Sequence, residues 1–205
     1  MSTLIQRYTR GERSNHWLVA IAFVLAALSG LALFHPAFYF LVNLFGGGPW
    51  TRILHPFLGV AMTLFFISMA LRFWRHNHIT AADRQWLKRI GDVIRNRDRN
   101  LPELGKYNAG QKILFWVMVM SIPLLLLTGI AIWQPWFAPY FPVWLLRAAV
   151  VVHALAAWIL ILGIVVHVYA AIWVRGTVRA MTRGTVTEAW ARHHHRAWYR
   201  ETTGK

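Results

Sequence analysis

The chain has 205 residues, 57% of them hydrophobic, and a formal net charge of +15. Several long uncharged runs in so apolar a chain are not typical of a soluble domain. The absence of cysteine excludes disulfides, cysteine-ligated iron–sulfur clusters and haem attached through Cys-x-x-Cys-His, so any redox centre must be held by other side chains.

Four apolar runs follow one another along the chain. We predict transmembrane helices over about residues 17–36, 53–74, 112–134 and 147–175. Each run is close to the roughly 20 residues that a helix needs to cross about 30 Å of hydrocarbon. Continuous apolar runs favour helices over the strands of a closed barrel. The predicted fold is therefore an all-α integral membrane protein, a four-transmembrane-helix bundle that forms one domain over 1–205 and has no internal repeat.

The connection between spans two and three is long and polar. Apolar residues recur within it at helical spacing among Arg, Lys and Asp: Trp86, Leu87, Ile90, Val93 and Ile94. This pattern predicts a cytoplasmic amphipathic helix that lies on the membrane surface or against a partner. A helix in a solvated loop, stabilised by its own charges, is the alternative.

The distribution of basic residues predicts the orientation. Twenty of the 22 lie in the N-terminal segment, the connection between spans two and three, and the C-terminal tail, whereas Arg52 and Arg147 lie in the other connections. The positive-inside rule then places both termini in the cytoplasm. The positive charge is mostly a signal of topology, with contact to anionic lipid of the bilayer as a secondary effect, and a nucleic-acid partner is not expected.

Four of the ten histidines fall in or near the predicted spans, at two depths. His16 and His167 lie near the cytoplasmic ends of spans one and four, and we call them the inner pair. His55 and His153 lie near the opposite ends of spans two and four, and we call them the outer pair. Fourteen residues separate His153 from His167, which corresponds to about 21 Å of rise and about 40° of rotation, so both side chains face one way.

A fifth histidine competes for the outer position. His35 lies at the outer end of span one, but the proline after it indicates that the span ends or breaks there. We therefore prefer His55 as the partner of His153, and we expect His55 and Pro56 to begin span two, where proline is tolerated.

Two facing imidazoles at each depth fit haem better than other cofactors. Structural zinc usually needs four protein ligands and catalytic zinc three, and the predicted spans offer neither cysteine nor carboxylate. Haem iron needs only two axial ligands, which facing helices of a bundle can supply. We predict that His16 and His167 bind the inner haem iron and that His55 and His153 bind the outer one. A proton relay is the alternative, although it would favour carboxylates in the spans.

The segment before span three carries a helix start. Asn108 and Gln111 match an Asn-x-x-Gln variant of the capping box, and that structural role alone would account for both. The start lies at the depth of the inner pair, and a helix N-terminus presents free N–H groups suited to a carbonyl. A quinone site at this position is therefore a second hypothesis.

Several segments together resemble a known family. In order and spacing, "NHW", "RILHPFLG", "GKYNAGQK", "VVHA" and "IVVHVYAAIWVRG" resemble the cytochrome b556 (gamma) subunit of respiratory formate dehydrogenase, and the likeness extends to the tail "HHHRAWYRE". The resemblance implies four transmembrane helices and two b haems held by the pairs given above. It also implies a quinone, menaquinone or ubiquinone, near Asn108, Gly110 and Gln111. The implied partners are an iron–sulfur (beta) subunit and a molybdenum- or tungsten-containing catalytic (alpha) subunit.

The expected function follows from this resemblance. The chain would be a membrane-anchoring dihaem cytochrome b subunit in the bacterial cytoplasmic (inner) membrane. It would pass electrons from the iron–sulfur partner across the membrane to quinone, while formate is oxidised in a partner subunit. Two alternatives stay open: the cytochrome b subunit of a nickel–iron hydrogenase or related oxidoreductase, and a non-redox membrane scaffold or proton pathway.

Other residues have two interpretations each. Arg52 and Arg147 could neutralise haem propionates or anchor the chain at the membrane interface. Glycines in or near the spans could admit a macrocycle or allow close helix packing, namely Gly30, Gly59, Gly129 and Gly163.

Overall fold

The computed structural model describes residues 3–95, 97 and 101–205; residues 96 and 98–100 of the predicted connection lie outside them. Four helices are long and apolar enough to cross a membrane, and they cover Arg10–Phe34, Gly48–Asn77, Ala109–Ala131 and Val143–Trp173. The predicted four-span helical membrane fold is confirmed.

The elements follow one another in a simple order. In the described residues they are β1 Leu4–Gln6, α1 Arg10–Phe34, a 3₁₀ helix Pro36–Phe45, α2 Gly48–Phe73, a 3₁₀ turn Trp74–Asn77, α3 Ala81–Lys88, α4 Ile90–Ile94, α5 Ala109–Ala131, a 3₁₀ turn Ala138–Tyr140, α6 Val143–Trp173, α7 Thr177–Arg183, β2 Thr185–Thr187, α8 Glu188–His194 and α9 Arg196–Thr203.

All four long helices begin before the predicted spans, and capping residues mark the start of α1 and of α5. At α1, Thr9 and Glu12 form a reciprocal capping box: the Thr9 N–H donates to Glu12 Oε2 at 2.7 Å, and the Glu12 N–H donates to Thr9 Oγ1 at 3.2 Å. The helix therefore includes a polar first turn that hydropathy alone does not assign to the span.

The expectation that His55 and Pro56 begin span two is wrong. Helix α2 begins at Gly48, directly after Gly46 and Gly47 with positive φ, and Pro56 lies inside it. Pro49 takes the first turn of α2, where the missing N–H costs no helical hydrogen bond. His55 is therefore held within a continuous helix, two turns beyond its start.

The residues group into two compact units, and each is described by itself. The bundle unit contains Ser14–Leu71 and Val117–Ile164, and the connector unit contains Met1–Arg13, Arg72–Trp116 and Val165–Lys205.

The bundle unit packs mostly apolar helix faces with a few satisfied polar groups. Leu160, Ile122 and Phe66 are almost completely buried, whereas many other large apolar side chains of these helices are exposed, as lipid-facing residues would be. Asn15 is buried and donates from Nδ2 to the carbonyl of Phe65 at 2.9 Å, which ties α1 to α2.

In the connector unit, the predicted single amphipathic helix is instead two short helices, α3 and α4, that meet at Arg89. Trp86 is buried against Leu104 and Ala109, and Val93 packs on the same cluster. The remaining apolar residues of the pattern are exposed, namely Leu87, Ile90 and Ile94. The break separates side chains that a single helix would have presented on one face.

A buried ion pair fixes α3 beside the start of α5. Lys112 Nζ lies 2.7 Å from Asp83 Oδ2, and the two side chains are 8% and 2% exposed. Lys112 also donates to the carbonyl of His78 at 3.0 Å, and Asp83 accepts from the N–H and hydroxyl of Thr80, which caps α3. Each charge is thus paired and hydrogen-bonded, as burial requires.

The N-terminus and the tail of the connector unit pack on one another, which the sequence did not predict. Strand β1 pairs antiparallel with β2. Arg7 is buried, with its guanidinium 5.0 Å from the ring centre of Trp190 and 4.8 Å from that of Trp198. His195 is also buried, and its Nδ1 lies 2.7 Å from the carbonyl of Gly105.

Candidate haem and quinone sites

The outer pair comes together inside the bundle unit. His55 on α2 and His153 on α6 have ring centres 6.2 Å apart, and their planes are inclined by 73°. By contrast, His35 is exposed and its Nδ1 accepts from the N–H of Ala37 at 3.1 Å, as the cap of the following 3₁₀ helix. Of the two candidates for the outer position, His55 is the one that faces His153.

Both imidazoles line a mostly apolar cavity of about 390 Å³. This volume falls in the range of about 300 to 1,000 Å³ that is typical of cofactor and ligand sites. All four long helices contribute to its wall, which is rich in Leu, Ile, Ala, Phe and Trp side chains. Arg52 and Gln134 add polar groups to this mostly apolar wall.

The residues of this cavity fit a bis-histidine haem. A metal–nitrogen bond of about 2.0 Å, plus about 1.1 Å from nitrogen to ring centre, places two axial imidazole centres about 6 Å apart. The observed 6.2 Å agrees with that separation. Gly59 lines the same cavity, and a Cβ added there would meet no atom within 4 Å, so the wall is open beside it. His55 and His153 would hold the iron.

Two other glycines have a different role from the one expected. A Cβ at Gly30 would lie 3.0 Å from Cε1 of His55, and one at Gly129 would lie 3.3 Å from Cε1 of His153. These glycines therefore make room for the imidazoles themselves. Arg147 is exposed near the start of α6, whereas Arg52 lies in the cavity wall.

Sequence reasoning missed two hydroxyl residues next to the outer pair. Ser29 Oγ lies 2.9 Å from Nδ1 of His55, and Thr128 Oγ1 lies 2.9 Å from Nδ1 of His153. Each hydroxyl residue directly precedes one of the two glycines that the imidazoles approach.

A signal for these residues was present in the sequence. Residues 28–34 read "LSGLALF" and residues 127–133 read "LTGIAIW", so the chain does contain a short internal repeat, contrary to expectation.

The inner pair lies in the two helices from which it was predicted. His16 is in α1, in the bundle unit, and His167 is in α6, in the connector unit. Both side chains are partly buried. His153 and His167 thus belong to one continuous helix, as the sequence predicts for span four.

The predicted capping box at the start of α5 is present. The Asn108 N–H donates to Gln111 Oε1 at 3.0 Å, and the Gln111 N–H donates to Asn108 Oδ1 at 2.9 Å. Among the described residues, the hydrogen bonds found for these two side chains use only their carbonyl oxygens. Each amide NH₂ group therefore keeps hydrogen atoms to donate. Gly110 is exposed between them, with Trp86 3.6 Å from where its Cβ would be.

The charge nearest this helix start is Asp83. Burial alone would raise the pKa of its carboxyl group. The hydrogen bonds from Lys112 and Thr80, together with the charge of Lys112, outweigh burial and lower that pKa below its ordinary value. Asp83 is therefore ionised at neutral pH, and its negative charge is balanced locally by Lys112.

These features are typical of a class of protein, the membrane cytochromes built from a bundle of four long apolar helices. The chain belongs to the prokaryotic cytochrome b561 family, whose model matches residues 7–184. The family implies a haem b cofactor and a role in electron transfer within a membrane.

Individual relatives are more specific. The chain is 47% identical over 197 residues to the formate dehydrogenase cytochrome b556(fdo) subunit of Escherichia coli strain K12, which covers 96% of this chain and 92% of the relative. It is 42% identical over 200 residues to the cytochrome b556(Fdn) subunit of the nitrate-inducible formate dehydrogenase of the same strain, covering 98% and 92%.

A relative from Haemophilus influenzae, a formate dehydrogenase cytochrome b556 subunit, is 39% identical over 199 residues, covering 97% of this chain and 84% of the relative. The resemblance to formate dehydrogenase cytochrome b556 subunits, drawn from the sequence motifs, is confirmed.

Proposed function

We propose that this chain is the membrane-anchoring dihaem cytochrome b subunit of a formate dehydrogenase. It takes electrons from an iron–sulfur (beta) subunit and delivers them to quinone, while a molybdenum- or tungsten-containing catalytic (alpha) subunit oxidises formate. Full-length relatives with this name support the assignment. The observation that carries it is the outer pair, two imidazoles 6.2 Å apart in an apolar cavity.

In this proposal the outer haem is held by His55 and His153, and the inner haem by His16 and His167. When bound, haem b supplies a one-electron carrier at each end of the span. Placement of both His153 and His167 on α6 supports two sites at different depths along one helix. The chain itself forms the apolar wall that excludes water from the outer site and fixes both imidazoles.

The proposed quinone site lies at Asn108, Gly110 and Gln111. The capping box fixes both amide side chains through their oxygens, so their NH₂ groups can donate to a quinone carbonyl. The N-terminus of α5 adds the positive end of a helix dipole, which favours the charge that a quinone acquires on reduction. Gly110 leaves the backbone between the two amides without a side chain.

The proposed location is the bacterial cytoplasmic membrane, with both termini in the cytoplasm. The four apolar helices support insertion, and the concentration of 20 of 22 basic residues in the termini and the connection between spans two and three supports the orientation. The quinone site then lies on the cytoplasmic side and the outer pair on the opposite side, next to the iron–sulfur partner.

Formate-driven reduction of the purified complex tests the electron path. With His16→Ala, formate should still reduce the outer haem, whereas the inner haem and quinol formation should be lost. With His55→Ala, the inner haem should remain bound but should no longer be reduced by formate. Co-purification with hydrogenase subunits, or loss of both haems from a stably inserted single variant, would contradict the proposal.

A further inference from the structure

Each imidazole of the outer pair is hydrogen-bonded to a hydroxyl group on another helix. Ser29 Oγ of α1 lies 2.9 Å from Nδ1 of His55 on α2, and Thr128 Oγ1 of α5 lies 2.9 Å from Nδ1 of His153 on α6. Ser29 is completely buried, with 0% of its surface exposed. Among the described residues, each ring of the outer pair thus has one side-chain hydroxyl within hydrogen-bond distance of its Nδ1.

The direction of the first hydrogen bond follows from counting protons. A hydroxyl has one hydrogen to donate. Ser29 Oγ lies 2.8 Å from the carbonyl of Leu25 and 3.0 Å from that of Ala26, and carbonyls can only accept. With its hydrogen given to the helix backbone, Ser29 accepts from His55. The proton of neutral His55 is therefore on Nδ1.

The same count holds on the other side of the cavity. Thr128 Oγ1 donates to the carbonyl of Leu124 at 2.7 Å, so it accepts from Nδ1 of His153. In both rings, Nε2 is left with the lone pair that a metal ligand needs.

The two arrangements are copies of one local design. In "LSGLALF" and "LTGIAIW", a hydroxyl residue is followed directly by a glycine. The hydroxyl lies 2.9 Å from Nδ1 of the facing ring, and a Cβ added at the glycine would lie 3.0 Å or 3.3 Å from Cε1 of that ring. The hydrogen bond to Nδ1 and the close packing beside Cε1 restrict rotation of each imidazole plane. The planes are fixed at 73° to one another.

We propose that Ser29 and Thr128 are positioning residues of the outer haem. Each hydroxyl accepts the Nδ1–H of one axial imidazole, fixes the tautomer that offers Nε2 to the iron, and holds the plane of that ring. This inference rests on the proposed ligation of the outer haem by His55 and His153. The new element is the pair of hydroxyl residues that orient the two imidazoles and increase their electron donation to the iron.

The inference has an electronic consequence with a definite sign. An acceptor on Nδ1–H makes the imidazole a stronger electron donor to the metal. Stronger donation stabilises ferric iron relative to ferrous iron and therefore lowers the midpoint potential. Removing either hydroxyl should raise the midpoint potential of the outer haem and leave that of the inner haem unchanged.

The test is a redox titration of the purified full-length cytochrome with Ser29→Ala, Thr128→Val and Thr128→Ser. Ser29→Ala and Thr128→Val should move one of two components to higher potential, and Thr128→Ser, which keeps the hydroxyl, should restore it. The affinity for the outer haem should fall roughly tenfold in the first two, as for other partners of metal-binding histidines. The ferric low-spin resonance of the same haem should change as its imidazole planes become free to turn.

Thr51→Val is the matched control. Thr51 is completely buried in α2 but does not line the cavity, and its Oγ1 donates to the carbonyl of Gly47 at 2.8 Å, so its hydroxyl serves the backbone. This variant should leave both potentials and the resonance unchanged.

A companion variant, His153→Ala, separates the two ideas. If it fails to remove one titrating component, the proposed haem ligation is wrong. If it removes one component while Ser29→Ala and Thr128→Val leave both potentials unchanged, the ligation stands and the positioning role is wrong. An equal shift with Thr51→Val would also overturn the inference.

Discussion

Replacement of Lys112 by Met should open the segment that supports the proposed quinone site. The ammonium group lies 2.7 Å from Asp83 Oδ2, and the two side chains are 8% and 2% exposed, so solvent screens the pair little. Removing one partner of a buried ion pair costs about 3–5 kcal/mol, because the other charge stays buried and uncompensated. At about 1.4 kcal/mol for each factor of ten, amides of Ala81–Lys88 should exchange hydrogen roughly 10² to 10³ times faster.

Two comparisons make this measurement decisive. The double variant Lys112→Met with Asp83→Asn should recover most of the protection, since it removes both charges while the amide oxygen can still accept from Thr80. Glu103→Gln breaks an ion pair with Arg200 whose side chains are 57% and 45% exposed, so it should change protection by less than about 1 kcal/mol. If Lys112→Met behaves like Glu103→Gln, the reasoning about the buried pair is wrong.

The other predictions concern steric room and pH. Alanine at Gly30 or Gly129 adds a methyl group 3.0 Å or 3.3 Å from an imidazole of the outer pair, so the haem content should fall. Gly91→Ala, where the added methyl meets no atom within 4 Å, should keep the wild-type haem content. Equal haem content in all three variants would contradict the prediction. Burial, followed by the charge of Arg7, lowers the pKa of His195 from 6.5 to about 3. As the pH falls from about 6.5 toward 3, His195 takes up a proton only when the tail is unfolded. The stability of the folded tail should therefore decrease over this pH range. After correction for the slower intrinsic exchange at low pH, the protection factors of tail amides should be smaller at pH 5 than at pH 7, and equal protection factors would contradict the assignment.

Much of the site was predictable because the sequence indicates how deep each residue lies in the membrane. Apolar runs and basic flanks place each histidine near one end of a span, which is how His55 was paired with His153 before any geometry was known. The Asn108–Gln111 capping box was also predictable, because it is a local pattern. The depth of a histidine depends on the transfer of apolar runs into the bilayer, and the capping box depends on residues close together in the sequence.

What the sequence did not predict depends on contacts between distant segments. Ser29 and Thr128 are 26 and 25 residues from the imidazoles they bind, and only the packing of neighbouring helices brings them together. The break at Arg89 follows from burial of Trp86 against Leu104, which hydrophobic periodicity does not encode. The start of α1 was missed because its capping turn is polar and lies outside the apolar run.

A haem count tests the central claim most directly. The purified wild-type chain should give about two haems b per chain in a pyridine haemochrome assay. His153→Ala should retain about one, and His35→Ala should retain both, since His35 is an exposed capping residue. Loss of haem from His35→Ala but not from His153→Ala, or absence of haem from the wild-type protein, would contradict the account.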